Sequence, residues 1–346
     1  MRVRLAIHAS PGSFSDRWIR YCSEQGIDHL VVDCFDTGIM RRLEGVDGLL
    51  WHWSHTDPRA RLAARQIIMS AERAGLRVFP DTATCWHYDD KIGQKYLLES
   101  VGAPIVATYL FFDEESAMRW IDEAEFPKVF KLSCGASSEN VRLVRTRREA
   151  RDLCRKAFST GLPAVGGYFA DAATKLRKTK GPGQLAAKLM RMPKALYEAR
   201  RRRRLVGYES GYVYFQDFLP GNTFDTRITV IGNRAFGFTR KTRPGDFRAS
   251  GSGEIDYDLD RIDARCVKIA VDTADKLQTQ SLAFDFVFDE DGAPRIVEIS
   301  YCYKSRAVYD CPGYWDRDLN WHEGHVWPED AILDDLIGAV TGSRSG

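Results

Sequence analysis

The sequence predicts an α/β chain of composite α+β architecture. Three observations carry this. Strand and helix signals alternate over the first 80 residues, two hairpins lie beyond residue 220, and acidic residues sit inside the strands of the second hairpin. A chain of 346 residues has room for two or three small domains, or for one composite enzyme core.

Val3–Ile7 reads as a first strand, since its apolar stretch is too short and too broken by Arg4 and His8 for a signal peptide. Ser15–Gln25 carries Trp18, Ile19 and Cys22 at helical spacing and stops at Gly26. His29–Asp33 and Asp47–Trp51 are short apolar runs. Pro58–Ala74 is a long helical pattern ended by Gly75, and Leu76–Phe79 is a strand closed by Pro80. Strands separated by helices at this spacing predict a small parallel α/β domain over residues 1–82.

A second region, 83–218, begins with an amphipathic helical pattern within Thr82–Ser100, with Leu97, Leu98 and Val101 turned to a core. Ala103–Phe112, Phe126–Leu132, Val141–Val144 and Tyr212–Leu219 are extended, and Arg147–Phe158 is helical. An insertion at 166–211 is strongly basic. Between Thr174 and Leu205 the only acid is Glu198, and Leu185, Leu189, Met192 and Leu196 form one apolar stripe broken at Pro193. It reads either as a solvated excursion or as an arm that meets an anionic polymer or membrane surface. No nucleic-acid module accompanies it, which disfavours DNA and RNA.

The third region, 219–346, opens with Asp225–Ile231 and Arg234–Thr239 around Gly232-Asn233, a hairpin pattern. Asp260–Leu277 is helical, Leu282–Asp289 and Pro294–Ser300 form a second hairpin, and Pro328–Val340 is a final helix. No run of about 18 apolar residues exists, so no transmembrane helix is expected. Eight cysteines without a C-x-x-C pair read as reduced thiols. The reading is a cytoplasmic enzyme, with peripheral attachment to the inner membrane left open.

The candidate chemistry starts with Asp285 and Glu298, one in each strand of the second hairpin. Buried carboxylates are expensive unless paired or bound to a metal. Two on neighbouring strands suit Mg²⁺, which takes carboxylates together with nucleotide phosphates; the alternative is that they face solvent. Lys91, Lys131, Arg227, Arg240, Arg243 and Arg248 supply the cations that phosphoryl transfer requires, or are surface charges. Ser133–Asn140, with Gly135, Ala136, Ser137 and Ser138, has the small residues of a loop whose backbone N–H groups approach phosphate oxygens. No G-x-x-x-x-G-K-[ST] run exists, which disfavours a P-loop NTPase.

The order of these runs resembles the ATP-grasp superfamily. The runs are Trp86–Lys91, Phe126–Lys131 with its loop, Val213–Leu219, Phe224–Ile228, Arg240 to Gly245-Asp-Phe-Arg248, and Asp285 to Glu298-Ile-Ser300. They are most similar to the branch of ribosomal-protein glutamate ligases and glutathione synthetase. The resemblance implies an ATP-grasp fold with a Rossmann-like pre-ATP-grasp domain at 1–82, a small subdomain with a lid at 83–218 and a large subdomain at 219–346. It implies that Lys91 and Lys131 hold phosphates, that Gln216, Asp217, Phe218 and Leu219 form the adenine hinge, and that Asp225 serves the nucleotide site. Arg227, Arg240 and Arg248 are the implied catalytic arginines. Asp285, Glu298 and Ser300 are the implied ligands of two Mg²⁺ ions, which Mn²⁺ can replace.

The implied activity is an ATP-dependent carboxylate–amine ligase working through an acyl-phosphate, with a small-molecule or carbohydrate acid and an amine as substrates. Surface-polysaccharide members of this kind suggest a sugar acid. The alternatives are a phosphotransferase on the same fold and a nucleotide-binding scaffold protein. The chain departs from the family at Asp217, where Glu is usual, at Ser300, where Asn is usual, and at Arg248-Ala-Ser250, where Arg-Ser-Asn is common. The aromatic tail from Tyr301 to Trp327 reads as a cap or an acceptor pocket. Its Cys302, Cys311, His322 and His325 also invite a zinc reading, although their spacing fits no standard pattern.

Overall fold

The computed structural model describes residues 3–135, 140–163, 207–243, 246–248 and 254–342. The basic segment 174–205 lies outside the described residues. The chain divides into two compact units, one of 1–88, 93–106 and 219–346, the other of 89–92 and 107–218.

In chain order the strands are β1 (Arg4–His8), β2 (Asp28–Val32), β3 (Gly48–Leu50), β4 (Arg77–Phe79), β5 (Thr108–Phe111), β6 (Lys128–Lys131), β7 (Val141–Val144), β8 (Leu162–Pro163) and β9 (Tyr208–Glu209). They continue as β10 (Val213–Asp217), β11 (Phe224–Ile231), β12 (Arg234–Lys241), β13 (Ile255–Asp256), β14 (Ser281–Phe288), β15 (Pro294–Ser300), β16 (Gly313–Trp315) and β17 (Trp321–Glu323). The helices are α1 (Ser15–Glu24), α2 (Ile39–Arg42), α3 (Pro58–Arg73), α4 (Thr82–Cys85), α5 (Lys91–Ser100), α6 (Glu114–Glu123), α7 (Arg147–Phe158), α8 (Ala264–Leu277), α9 (Ser305–Tyr309) and α10 (Pro328–Gly342).

The first unit holds two sheets. The expected parallel sheet has strand order β2-β1-β3-β4. Its crossover helix α3 starts where Asp57 caps the N–H of Arg59 at 2.9 Å with Pro58 in the first turn. The second sheet has the order β15-β14-β11-β12-β16-β17, with β13 also paired to β12. Its centre is the hairpin β11–β12, where Ile231 pairs with Arg234 across a two-residue turn. Gly232 has a φ of 55° and Asn233 is not left-handed, which matches a type II′ turn with glycine first. Helix α8 packs on β11, β12 and β14, and buries Cys266, Val267, Ala270, Val271, Ala274 and Leu277. Thr226, Ile228 and Val230 are buried on alternate positions of β11, one face of that strand.

Helix α10 returns to the parallel sheet. Arg17 on α1 grips Asp330 with both nitrogens at 2.7 and 2.6 Å, and the Trp18 indole donates to the Glu329 carbonyl at 2.9 Å. Nearby, His52 stacks flat on Phe14 at 3.8 Å, and neither buried ring nitrogen has a hydrogen-bond partner. Burial pushes its pKa from 6.5 down to about 3. Between those values the unfolded chain binds a proton that the folded chain does not, so His52 makes stability fall as pH drops from 6.5 toward 3. A His52→Phe variant should therefore lose less stability than the parent between neutral pH and about pH 4.5, by on the order of 2 kcal/mol. Urea unfolding at the two pH values measures this, and equal acid losses would contradict it.

The second unit carries an antiparallel sheet of order β5-β10-β6-β7. Its core is Ile121, Phe130, Val144, Leu153, Val213 and Phe215 with Ala117, Ala150 and Ala157. Helix α6 lies where the sequence reading predicts no element. Its signal is Asp113, which caps the N–H of Ser116 at 2.7 Å. The hairpin β16–β17 inside the aromatic tail is likewise not anticipated.

Candidate functional site

In the second unit the sheet sets the candidate nucleotide residues side by side. Lys131 on β6 lies opposite Tyr214 on β10, two pairs away from Gln216. Its buried ammonium, 4% exposed, donates to the Gln216 side-chain oxygen at 2.5 Å, and the Gln216 amide donates to Thr108 Oγ1 at 3.2 Å. Asp217 does not stand open. Its carboxylate takes Lys128 Nζ at 2.6 Å and its N–H donates to the Ala107 carbonyl at 2.9 Å. Lys128 is a residue that sequence reasoning missed, because only the register Asp217↔Lys128 reveals it.

The start of the small-residue loop is tied down by acids. Gly135 has a φ of 110°, and a Cβ there would collide with the Asn140 side chain, so only glycine fits. The Gly135 N–H donates to Asp89 at 2.7 Å and Ser133 Oγ to Asp90 at 3.0 Å. Lys91 Nζ donates to the Gly135 carbonyl at 2.9 Å. Glu209 accepts from the N–H groups of Ser133 and Cys134 at 3.0 and 3.3 Å, and from the Tyr212 hydroxyl. Nothing local in the sequence marks Glu209, which lies 76 residues beyond Ser133. Ser137 and Ser138 lie outside the described residues.

In the first unit, cross-strand register builds one ladder of charge. Arg240 on β12 faces Asp225 on β11, Arg227 two residues further faces Asp285 on β14, and Asp285 faces Glu298 on β15. Directly opposed residues share a face, and so do residues two apart on one strand, so all five project from the same side of the sheet. Arg227 grips Asp285 with both nitrogens at 2.6 and 2.7 Å. Arg240 grips Asp225 at 2.8 and 2.5 Å and reaches Asp285 at 2.9 Å. A bulge follows Asp285 in the β14–β15 pairing.

Burial alone would raise the Asp285 pKa, but Arg227 and Arg240 outweigh it and hold the carboxyl far below its ordinary range. Burial pushes Asp225 upward, with the nearby Asp285 charge adding to it and Arg240 opposing it. Burial disfavours the Arg240 charge, yet the two aspartates more than restore it. Asp285 is thus an ionised carboxylate in a site that is 8% exposed.

The remaining candidates are Arg248 and Ser300. Arg248 pairs with Asp246 at 2.6 Å, and Pro244, Gly245 and Ser250 are outside the described residues. Ser300 faces Ala283 on β14, two residues from Glu298. Its hydroxyl donates to the Cys302 carbonyl at 3.0 Å and accepts from the Cys302 N–H at 3.2 Å. The zinc reading of the tail fails. His322 pairs with Asp316 at 2.8 Å, His325 donates to the Tyr309 carbonyl at 2.8 Å, and among the described residues Cys302, Cys311, His322 and His325 form no group that could hold a metal ion.

Among the described residues no group of three or more His, Cys, Asp or Glu side chains is arranged to hold a metal ion. Asp285 and Glu298 nonetheless fit Mg²⁺ of the kind that relies on one or two carboxylates and completes its shell with water and phosphate oxygens. The two carboxylates lie directly opposite each other on neighbouring strands, and the donor set is oxygen throughout.

No protein-family model and no curated protein sequence matches the chain. Solved structures do. A RimK-domain ATP-grasp protein of Sphaerobacter thermophilus covers 97% of this chain and 100% of its own, at 17% identity and a TM-score of 0.56. The chain has the ATP-grasp fold. The ATP-grasp ligase PsnB, solved with a minimal precursor, covers 99% of both chains at 14% identity and a TM-score of 0.55. D-alanine–D-alanine ligase of Bacillus anthracis covers 100% of this chain and 99% of its own at 12% identity and a TM-score of 0.58. On the ATP-grasp frame, the two hairpins and the antiparallel sheet carry the candidate residues described above. No helix among the described residues is long and apolar enough to cross a membrane.

Proposed function

We propose that the protein is an ATP-dependent carboxylate–amine ligase. The observation that carries this reading is the charge ladder Arg240–Asp225–Arg227–Asp285–Glu298, which concentrates two arginines and three acids on one face of a sheet in an ATP-grasp fold. Phosphoryl transfer is driven mainly by positioning and by fixed charge, and that is what these residues offer.

In this reading Lys91 and Lys131 neutralise nucleotide phosphates, the loop at Gly135 with Ser137 and Ser138 covers them, and the Gln216–Leu219 hinge meets adenine. A substrate carboxylate oxygen attacks the γ-phosphorus, the bond to the bridging oxygen breaks, and ADP leaves. Arg227 and Arg240 stabilise the negative charge on the transferring group, and Arg248 contacts the product acyl-phosphate. An amine then attacks the acyl carbon, the carbon–oxygen bond to phosphate breaks, and the amine gives up a proton as the amide forms. Asp285 and Glu298, with Ser300 as a weaker neutral donor, would hold Mg²⁺, which when bound screens phosphate charge. Mn²⁺ is the natural substitute.

The acid substrate proposed is a sugar acid. Support comes from the aromatic density of the tail between Tyr301 and Trp327, since aromatic side chains pack on sugar rings and exclude water. Amino-acid and peptide acids belong in the same test, because solved neighbours include a D-alanine–D-alanine ligase and PsnB with a precursor peptide.

The test is phosphate release from ATP and Mg²⁺ with paired panels of uronic acids, nucleotide-linked uronic acids, amino acids and amines. Release that requires both an acid and an amine is the expected result. Stable phosphorylated product without an amine would replace the ligase with a phosphotransferase. ATP binding without turnover on any pair would leave a nucleotide-binding scaffold.

A further inference from the structure

The two arginines of the ladder are held differently. Arg240 is clamped by Asp225 on its own hairpin, at 2.8 and 2.5 Å, and touches Asp285 with a single nitrogen at 2.9 Å. If Asp285 turned to another cation, Arg240 would keep its bidentate partner. Arg227 has no such anchor in the ladder: both of its gripping nitrogens, at 2.6 and 2.7 Å, are on Asp285. The Asp285 oxygens are correspondingly taken, Oδ1 by Arg227 and Oδ2 by both arginines.

A divalent cation approaching Asp285 therefore meets a carboxylate already neutralised by guanidinium. It must displace a bidentate, charge-assisted pair in a partly dry site, where such pairs are strong. The cation also finds few protein ligands, since no group of three or more suitable side chains exists among the described residues. Displaced Arg227 would be left as a half-buried cation, its side chain 18% exposed, and a cation in that setting needs a new anion. Nucleotide phosphates meet both needs at once, because they complete the metal shell and accept the released guanidinium.

We infer that Arg227 is an exchangeable counter-ion of Asp285 and makes divalent-cation binding at this carboxylate conditional on an anionic phosphate ligand. Arg240 is the fixed partner and Asp225 the residue that keeps it fixed. The inference rests on the proposed assignment of Asp285 as a metal ligand. It adds an order to that assignment, with free protein excluding the cation and phosphate admitting it.

Mn²⁺ binding to the full-length protein, followed by electron paramagnetic resonance, tests this without any turnover. Wild-type protein should bind Mn²⁺ alone at least about tenfold more weakly than in the presence of the β,γ-imido analogue of ATP, with the free Mn²⁺–analogue complex subtracted. Arg227→Met should bind Mn²⁺ alone about tenfold more tightly than wild type, and its gain from the analogue should shrink. Arg227→Lys, which keeps the charge, should stay close to wild type. Arg227→Gln, which keeps donors but not charge, should follow the methionine variant and replaces it if that protein does not fold. Wild-type-like Mn²⁺ affinity in both uncharged variants overturns the inference while leaving the metal site intact. Mn²⁺ binding that survives Asp285→Asn overturns the metal assignment itself, and the inference with it.

Discussion

Replacing Glu298 with glutamine is expected to lower phosphate release from ATP by about a thousandfold. Glu298 stands directly opposite Asp285 across β14–β15, and the amide keeps its shape while removing its charge. A metal that screens a transferring phosphoryl is worth several kcal/mol, which corresponds to about three orders of magnitude in rate. Nucleotide affinity should change by only a few fold, since the proposed adenine contacts at Gln216–Leu219 are untouched. The check pairs a phosphate-release assay with titration of a fluorescent ATP analogue. Undiminished turnover would end the assignment of Glu298 as a metal ligand, whereas loss of nucleotide binding in step with turnover would make its role structural.

The second large effect is expected from Arg240→Met. Arg240 is the cation that both Asp225 and Asp285 share in a buried site. Removing it leaves Asp225 without its bidentate partner, and an uncompensated buried charge costs roughly 3–5 kcal/mol. The cost should depend on pH in a defined direction. Burial already raises the Asp225 pKa above its unfolded value, and removing the guanidinium raises it further. A carboxyl with a raised folded pKa favours the folded state at low pH and loses that contribution as pH rises through the folded value. The variant should therefore be most destabilised at neutral pH and recover part of the loss as the solution is acidified. Adding Asp225→Asn to Arg240→Met should restore much of the stability by removing the orphaned charge. Urea unfolding of the single and double variants across pH measures both effects. A double variant no more stable than the single would show that the ion pair is not what Arg240 contributes.

The parallel domain, the two hairpins and the presence of acids within the second hairpin were legible in the sequence because they are local. A strand–helix alternation, a Gly-Asn turn and a caps-and-glycine pattern all act over a few residues. Helix α6 was legible only in part. Its Asp113 cap is a clear signal, but its buried positions, Ala117 and Ile121, make a sparse apolar stripe. The β16–β17 hairpin was hidden by composition, since a run dense in tyrosine and tryptophan gives no alternation from which to read a register.

The sequence by itself determined which residues are available for chemistry, namely two strand carboxylates, two lysines ahead of a small-residue loop, and a run of arginines. Their residue types and spacings are local facts of the chain. Only the tertiary structure decided who neutralises whom. Arg227 and Asp285 are 58 residues apart, Lys128 and Asp217 are 89 apart, and Ser133 and Glu209 are 76 apart. Each of these pairs exists because backbone register or a loop contact brings a charged group to its partner. Electrostatic partnership depends on distance and on exclusion of water, and neither is a property of a position along the sequence.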